Sequence, residues 1–218
     1  MVELLKWFGD DMDIVDKARI SFDKSSENYS LSQNTRLINY LAEEEHTLPF
    51  RHQHIQFRIT TTIYVERQLF KHEVGVTKSS ISGRYVDFSA RHTAIGEGNW
   101  RMASKVAKQG SGDLCNPKVQ KELAYLEDKM INYAMKTYEK MLKLGACKEQ
   151  ARSILLLNLN TTFIMTLSLQ AFLHMCRLRL KPDAQKETRD VVQQMLDLVL
   201  AIPSRPFHHA IKTWGIIE

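Results

Sequence analysis

The segment His54–Phe70, HIQFRITTTIYVERQLF, carries the clearest periodicity in the chain. Ile55, Phe57, Ile59, Thr61, Ile63 and Val65 alternate with His54, Gln56, Arg58, Thr60, Thr62 and Tyr64. A period of two puts one face of a strand into a core and leaves the other wet. Near Thr62 the pattern changes, because Ile63, Leu69 and Phe70 also fit helical spacing and Thr is a residue that caps helix N-termini. The spacing therefore predicts a strand that hands over to a helix near Thr62. That helix ends near Gly75 and delivers a polar loop.

Upstream, Leu37, Ile38, Leu41 and Ala42 recur at helical spacing from Ser32 onward, and Glu43, Glu44 and Glu45 close that helix before Pro49. Glutamates at a helix C-terminus oppose its dipole, so a nearby cation is expected. The first thirty residues offer Val15 to Phe22 as a short apolar-alternating run, then Asp23-Lys24-Ser25-Ser26 as a polar break. Downstream, His92 to Pro117 reads as loop, with GEGNW and KQGSGDLCNP as its signals. Lys118 to Leu144 predicts one long helix with Leu123, Leu126, Met130, Tyr133, Ala134, Tyr138, Met141 and Leu142 on one side and Gly145 as its stop. A second helix begins about Lys148, a third covers Leu167 to Leu178, and a last long one follows Pro182-Asp183-Ala184. Its stripe is Val191, Val192, Met195, Leu196, Val199 and Leu200, and Pro203 ends it. The class is α+β with helices dominant.

A chain of 218 residues, 44% of them hydrophobic, suits one domain spanning 1–218 with a sizeable core. The net charge of +5 favours an anionic partner without distinguishing a nucleotide from a nucleic acid. Cys115, Cys147 and Cys176 are odd in number and lack CxxC spacing, which speaks against a disulfide framework or a thiolate zinc site. The opening MVELLKWFGDDMD acquires acidic residues where a signal peptide needs a longer apolar run, and no window holds 18 uncharged apolar residues. The expected location is cytoplasmic, with no membrane partner.

The polar loop belongs to the stretch Glu66–Ser89, ERQLFKHEVGVTKSSISGRYVDFS. Arg67, Lys71, Lys78 and Arg84 supply positive charge; Thr77, Ser79, Ser80, Ser82 and the backbone around Gly75 and Gly83 supply short donors. Such a set suits a phosphate, although a solvated loop has the same composition. Ser82 beside Gly83 invites a nucleophile reading, but G-x-S-x-G is absent and no base stands at recognisable spacing. His46, His52 and His54 invite a zinc reading, yet on a strand His52 and His54 share a face while His46 lies beyond Pro49, and no acid completes the set. No metal is expected.

The order of residues in this stretch resembles the signature of the flavin-dependent thymidylate synthases, Arg-His-Arg, seven residues, Ser, then Gly-Arg-Tyr. Here it stands as Lys71-His72-Glu73, eight residues, then Ser82-Gly83-Arg84-Tyr85. His46-Thr47-Leu48-Pro49-Phe50-Arg51-His52 resembles the family's His-x-x-Pro-Phe-Glu-His, and Arg67-Gln68 its Arg-Gln helix. Ala151-Arg152 with Leu155 to Leu159 resembles the Ala-Arg and Leu-Pro-x-x-x-Tyr region, and Leu178-Arg179 the family's Leu-Arg. The resemblance runs in order from about Ala18-Arg19-Ile20-Ser21 to Gln185.

That resemblance implies a helix-dominated domain with a central antiparallel sheet, and an enzyme that methylates dUMP to dTMP with FAD, NADPH and methylenetetrahydrofolate. It implies dUMP contacts for Gln68, Lys71, Ser80, Ser82, Gly83, Arg84, Arg152 and Arg179, with Arg84 and Arg152 at the phosphate. Arg179 would polarise the uracil ring and is the catalytic candidate, since a guanidinium can withdraw electron density toward an anionic N3 or carbonyl. Flavin contacts are implied for His46, Leu48, Lys71, His72, Glu73, Ser80, Ser168, Gln170 and His174, and active sites between the subunits of a homotetramer. Departures concentrate on the flavin side. Lys71 and Glu73 replace arginines, Arg51 replaces a glutamate, and Ser168-Leu169-Gln170 stands where the family commonly has Asn-x-Arg. Two rival readings follow: a related one-carbon transferase such as a hydroxymethylase, and a basic nucleic-acid-binding module. The module needs exposed aromatics interleaved with its cations, and this loop offers chiefly Tyr85 and Phe88.

Overall fold

The computed structural model describes residues 1–88, 91–105 and 110–218. Its elements run β1 (Val2–Phe8), α1 (Asp11–Arg19), α2 (Leu31–Glu43), β2 (His54–Thr62), α3 (Ile63–Leu69), β3 (Val76–Ser80), β4 (Arg101–Ala103), β5 (Ser111–Leu114), α4 (Pro117–Lys143), α5 (Lys148–Ala151), β6 (Asn160–Ser168), α6 (Leu169–Arg179), α7 (Lys186–Leu200) and α8 (His208–Thr213). Contacts divide the chain into two compact units. The first holds Met1–Ile59, Lys71–Ser79 and Ile164–Glu218; the second holds Thr60–Phe70 and Ser80–Phe163.

The alternating segment is β2, and the handover falls at Thr62, in extended backbone ahead of α3. Thr62 makes no side-chain cap bond, and α3 ends at Leu69 rather than near Gly75. The residues expected as loop instead form β3, so the sheet order is β1-β2-β6-β3. The class is helix-rich α+β with a central antiparallel sheet.

In the first unit, Ile55, Phe57 and Ile59 of β2 and Met165 and Leu167 of β6 are buried, as are Phe172, Leu173, Met175 and Cys176 of α6. Val192, Met195, Leu196 and Val199 of α7 join them, and Phe57 stacks on Phe172 with centroids 6.0 Å apart. Each such side chain contributes about 1.5–3 kcal/mol by leaving water, which is why the alternation is strict on this face. β1 pairs antiparallel with β2, from Val2 opposite Ile59 to Phe8 opposite His54, with a register shift between Leu4 and Lys6. The shift breaks its period of two, so VELLKWF does not read as a strand. Val15 to Phe22 is the end of α1 and a 3₁₀ turn, because Asp10 and Asp13 form a capping box that starts a helix at Asp11. α2 has its own capping box, Ser30 with Gln33; its last turn carries no basic residue to offset the glutamates.

In the second unit, α4 begins at Pro117 under the Asn116 cap, and Gly145 follows it with φ +92°. Its apolar stripe is wider than the seam the unit buries: Ala134 and Tyr138 are buried, whereas Leu126, Met130 and Tyr133 are exposed. The His92–Pro117 reading as loop is corrected by the β4–β5 hairpin. Buried Gln120 holds the approach to that hairpin, accepting from Gly98 N and Trp100 N at 3.1 Å and donating to Trp100 O at 2.8 Å. Ser89, and Lys108 and Gln109 of the loop reading, lie outside the described residues.

Candidate active site

The second unit encloses a cavity of about 590 Å³, within the roughly 300–1,000 Å³ of small-molecule clefts. Backbone bonds set its walls: Ile63 N donates to Leu159 O at 2.9 Å, Tyr64 N to Leu157 O at 3.1 Å, and Ile81 N to Thr162 O at 2.9 Å. These bonds seat the start of α3 against the chain that leads into β6, and the residue after β3 against β6 itself. Ile63, Phe70, Phe88, Leu155, Leu156 and Leu159 give the cavity apolar walls, and Arg67, Ser80, Gly83, Arg152 and Ser153 face it with donors.

Gly83 shapes this wall. A Cβ there would lie 2.3 Å from the Phe88 ring and 2.9 Å from Arg152 Cδ, so only hydrogen lets the buried ring and the arginine stem lie against the backbone. Arg152 itself follows α5 on a 3₁₀ turn and is exposed. Ser82 accepts from Arg84 N through its hydroxyl at 3.3 Å, and its carbonyl accepts from Tyr85 N and Val86 N at 3.0 Å. Ser82 thus builds the turn that carries Arg84 and Tyr85.

Two acids also line the cavity, Glu66 and Glu149. Ser80 Oγ donates to Glu66 Oε1 at 3.0 Å, so this hydroxyl is already engaged. Burial raises the Glu66 carboxyl above the usual carboxylate range, opposed by the Ser80 bond and then by the Arg67 charge.

A separate cavity of about 300 Å³ lies in the first unit, lined by Lys71, His72, Glu73, Val74, Ala171, His174, Leu178 and Arg179. Gly75 makes the tight entry possible: its φ is +72°, its carbonyl accepts from Ser168 N at 2.8 Å, and a Cβ would lie 2.5 Å from Ser168 Oγ. Arg179 Nε donates to His72 Nε2 at 3.0 Å, and Lys78 Nζ donates to the His72 carbonyl at 3.1 Å. The rings of His72 and His174 meet edge-on with centroids 6.1 Å apart. Burial first, then the charges of Arg179, His174 and Lys78, lower the His72 pKa to about 4. Burial also lowers Arg179, though a guanidinium stays charged at neutral pH.

The residues named from sequence are therefore brought together in part. Ser80, Gly83 and Arg152 share the second unit's cavity; Lys71, His72, Glu73, His174 and Arg179 share the first unit's. Gln68, Ser82 and Arg84 belong to the second unit without lining its cavity, and His46, Leu48, Ser168 and Gln170 to the first without lining its own. His46 is exposed and packs edge-on to Tyr40, and Leu48 is exposed. Ser168 is buried and caps α6 by accepting from Ala171 N at 3.2 Å. Gln170 Oε1 accepts from Arg51 Nε at 2.7 Å. Glu66 and the leucines of 155–159 escaped the sequence reading as cavity residues, although they stand in segments it quoted, whereas Arg67 already stands among the cations suited to a phosphate. Among the described residues no cluster of three or more His, Cys, Asp or Glu could hold a metal ion, and no helix is long and apolar enough to cross a membrane.

Residues 3–203 match the family model described as thymidylate synthase complementing protein. A flavin-dependent thymidylate synthase of Wolbachia pipientis wMel is 32% identical over 200 residues, covering 91% of this chain and 69% of that protein. One from Thermus thermophilus is 33% identical over 199 residues, covering 91% and 70%. The fold is similar to that of the UMP/dUMP methylase PolB from Streptomyces cacaoi, solved with 5-Br dUMP, with a TM-score of 0.86 at 22% identity over 99% of this chain and 94% of PolB. This chain accordingly belongs to the thymidylate synthase complementing protein family, the flavin-dependent thymidylate synthases, and is an enzyme of the methyltransferase class.

Proposed function

We propose that this chain converts dUMP to dTMP, taking the carbon from methylenetetrahydrofolate and the electrons from NADPH through FAD, as a homotetramer with active sites at subunit contacts. The observation that carries the reading is the convergence of Ser80 and Gly83 with Arg152, about seventy residues further along the sequence, on one apolar-walled cavity. Arg67 and Arg152 offer that cavity guanidinium groups that can fork onto a nucleotide phosphate, beside the carboxyl groups of Glu66 and Glu149, and its aliphatic and aromatic walls suit a base. Arg84, on the turn built by Ser82, is a further phosphate ligand.

The residues of the first unit's cavity fit a flavin ring. Val74, Ala171 and Leu178 offer apolar surface to a flat heterocycle, and His72, His174, Lys71 and Arg179 offer polar groups at its edge. A cavity of about 300 Å³ suits the ring system and not the whole dinucleotide, and Glu73 on its rim would repel a phosphate. Bound, the reduced flavin supplies the hydride. The chain's own contribution is orientation and charge: with active sites at subunit contacts, Arg179 at the edge of one subunit's flavin cavity acts on the uracil ring of a nucleotide held in a partner subunit's cavity, where a cation stabilises negative charge building during attack on the carbon donor. The nucleic-acid rival loses support because Phe88 is 5% exposed, which leaves the motif loop one open aromatic ring, Tyr85.

The test is to purify the protein, add FAD, desalt, and record the flavin spectrum, then assay dTMP formation from dUMP with methylenetetrahydrofolate and NADPH. Flavin uptake and dTMP are the expected results. In Arg152→Ala, loss of a charge-assisted contact of about 1.5–3 kcal/mol should weaken dUMP binding roughly ten- to a hundredfold. A flavin-loaded protein that makes no dTMP, or an Arg152→Ala variant with unchanged affinity, contradicts the reading.

A further inference from the structure

His72 and Arg179 lie 107 residues apart, one in the turn after α3 and the other the last residue of α6, and they meet through Arg179 Nε–H on His72 Nε2 at 3.0 Å. Arginine has only donors, so the accepting nitrogen must present a lone pair. The imidazole is therefore neutral and carries its proton on Nδ1. A guanidinium is planar, so one bond at Nε orients the whole fork, including both terminal nitrogens.

We propose that His72 is a positioning residue for Arg179: its Nε2 fixes the plane of the guanidinium that acts on the pyrimidine, and the same bond fixes His72 as the Nδ1–H tautomer. The functional half of this rests on the thymidylate synthase reading above; the contact and the tautomer do not.

The surroundings enforce the arrangement. Among the described residues, the charged and titratable groups around the ring include Lys71, Glu73, Lys78, His174 and Arg179. Most are cationic or can become so, and burial adds to their effect, keeping the ring neutral down to a pKa of about 4. A protonated His72 would set two cations against each other and break the Arg179 Nε–His72 Nε2 bond. Lys78 fixes the other end of the residue by donating to the His72 carbonyl at 3.1 Å. The side chain is thus anchored through its backbone and has one ring nitrogen committed to Arg179. Lys71 and Glu73, its neighbours in the altered motif, are exposed, whereas His72 is half-buried.

The first arm of the test needs no catalysis. Histidine-¹⁵N-labelled protein, free of nucleotide and flavin, is examined at neutral pH by two-bond ¹H–¹⁵N correlation, with the His72 signals assigned by their absence in His72→Gln. The expected result is protonated Nδ1 and bare Nε2, and a change of tautomer in Arg179→Met. Imidazolium, an Nε2–H ring in the wild type, or a pattern indifferent to Arg179→Met overturns the proposal.

The second arm is kinetic. His72→Leu lacks an acceptor and should lower turnover at saturating dUMP about ten- to a hundredfold, the loss expected for a hydrogen bond to a charged group. The KM for dUMP should move much less. His72→Gln can place its amide oxygen under Arg179 Nε and should recover part of the loss. Combined with Arg179→Met, His72→Leu should add nothing further; full additivity means that His72 acts independently and overturns the positioning role. If the wild type has the expected tautomer and makes no dTMP, the functional reading fails while the contact stands.

Discussion

Gly83→Ala tests how the second unit's cavity is built. The backbone of Gly83 lies outside the left-handed region, so the change costs nothing in φ. Loss of unfolded-chain freedom would by itself stabilise by about 0.4–1 kcal/mol. Space opposes this. The new Cβ would lie 2.3 Å from Phe88 Cε2 and 2.8 Å from Cδ2, while ordinary carbon contacts begin at about 3.5 Å. The ring must retreat by about 1.2 Å, and at 5% exposure it is packed on nearly every side. Overpacking costs about 1–3 kcal/mol, and so severe a clash belongs in the upper part of that range. The net loss is then about 1–2 kcal/mol, or roughly 2–8 °C in melting temperature for a chain of this size. Arg152, whose Cδ sits 2.9 Å from the same Cβ, can swing aside more cheaply, so dUMP affinity should also fall. The assays are urea denaturation and nucleotide titration of Gly83→Ala, Phe88→Leu and the double variant. Phe88→Leu removes the clashing ring atoms, so the double variant should be more stable than the sum of the two losses implies, by about 0.5–3 kcal/mol. Strict additivity, or an unchanged melting point in Gly83→Ala, would refute the packing argument.

Two further predictions concern the first unit. Gly75→Ala meets both obstacles at once, a φ of +72° and a Cβ 2.5 Å from the Ser168 hydroxyl that caps α6; about 1–2 kcal/mol for the backbone and about 1 for the cap should make it the more damaging glycine change in urea melts. Asp11 accepts from His209 N at 2.8 Å and Ala210 N at 3.1 Å, and burial, only partly offset by these bonds, raises its pKa from 3.8 to about 6. The folded state then holds this proton more tightly than the unfolded chain. The stabilisation is full below pH 3.8 and is lost as pH rises through about 6. Relative to Asp11→Asn, the wild type should lose on the order of 2–3 kcal/mol between pH 4 and 7. A gap between the two proteins that does not change with pH refutes this account.

What the sequence made legible was local. The strand-to-helix change at Thr62 and the span of α4 follow from period and caps, which are properties of neighbouring residues. β6 escaped because Ile164 occupies the open face and is 36% exposed, so NTTFIMTLS does not alternate cleanly. The exposed part of the α4 stripe escaped for another reason. Helical periodicity marks which residues are apolar on one side but not which of them the same chain covers.

Two other departures from the family pattern, Arg51 and Gln170, show the limit most sharply. Taken singly, Arg51 in place of a glutamate and Gln170 in place of an arginine are two unrelated losses on the flavin side. In the fold they touch: Arg51 Nε donates to Gln170 Oε1 at 2.7 Å, and its terminal nitrogen donates to Thr47 Oγ1 at 3.0 Å. The family pattern places a carboxylate and a guanidinium at these positions. Here the guanidinium stands at the other one and an amide oxygen accepts from it, so the donor–acceptor pairing survives with its direction reversed. The pair, neutral in the family pattern, carries a net charge of about +1 here, seated on the turn at Leu48–Arg51 and no longer on α6. Substitutions 119 residues apart in sequence can thus be one event in space. Each looks like decay until the contact that joins them is known.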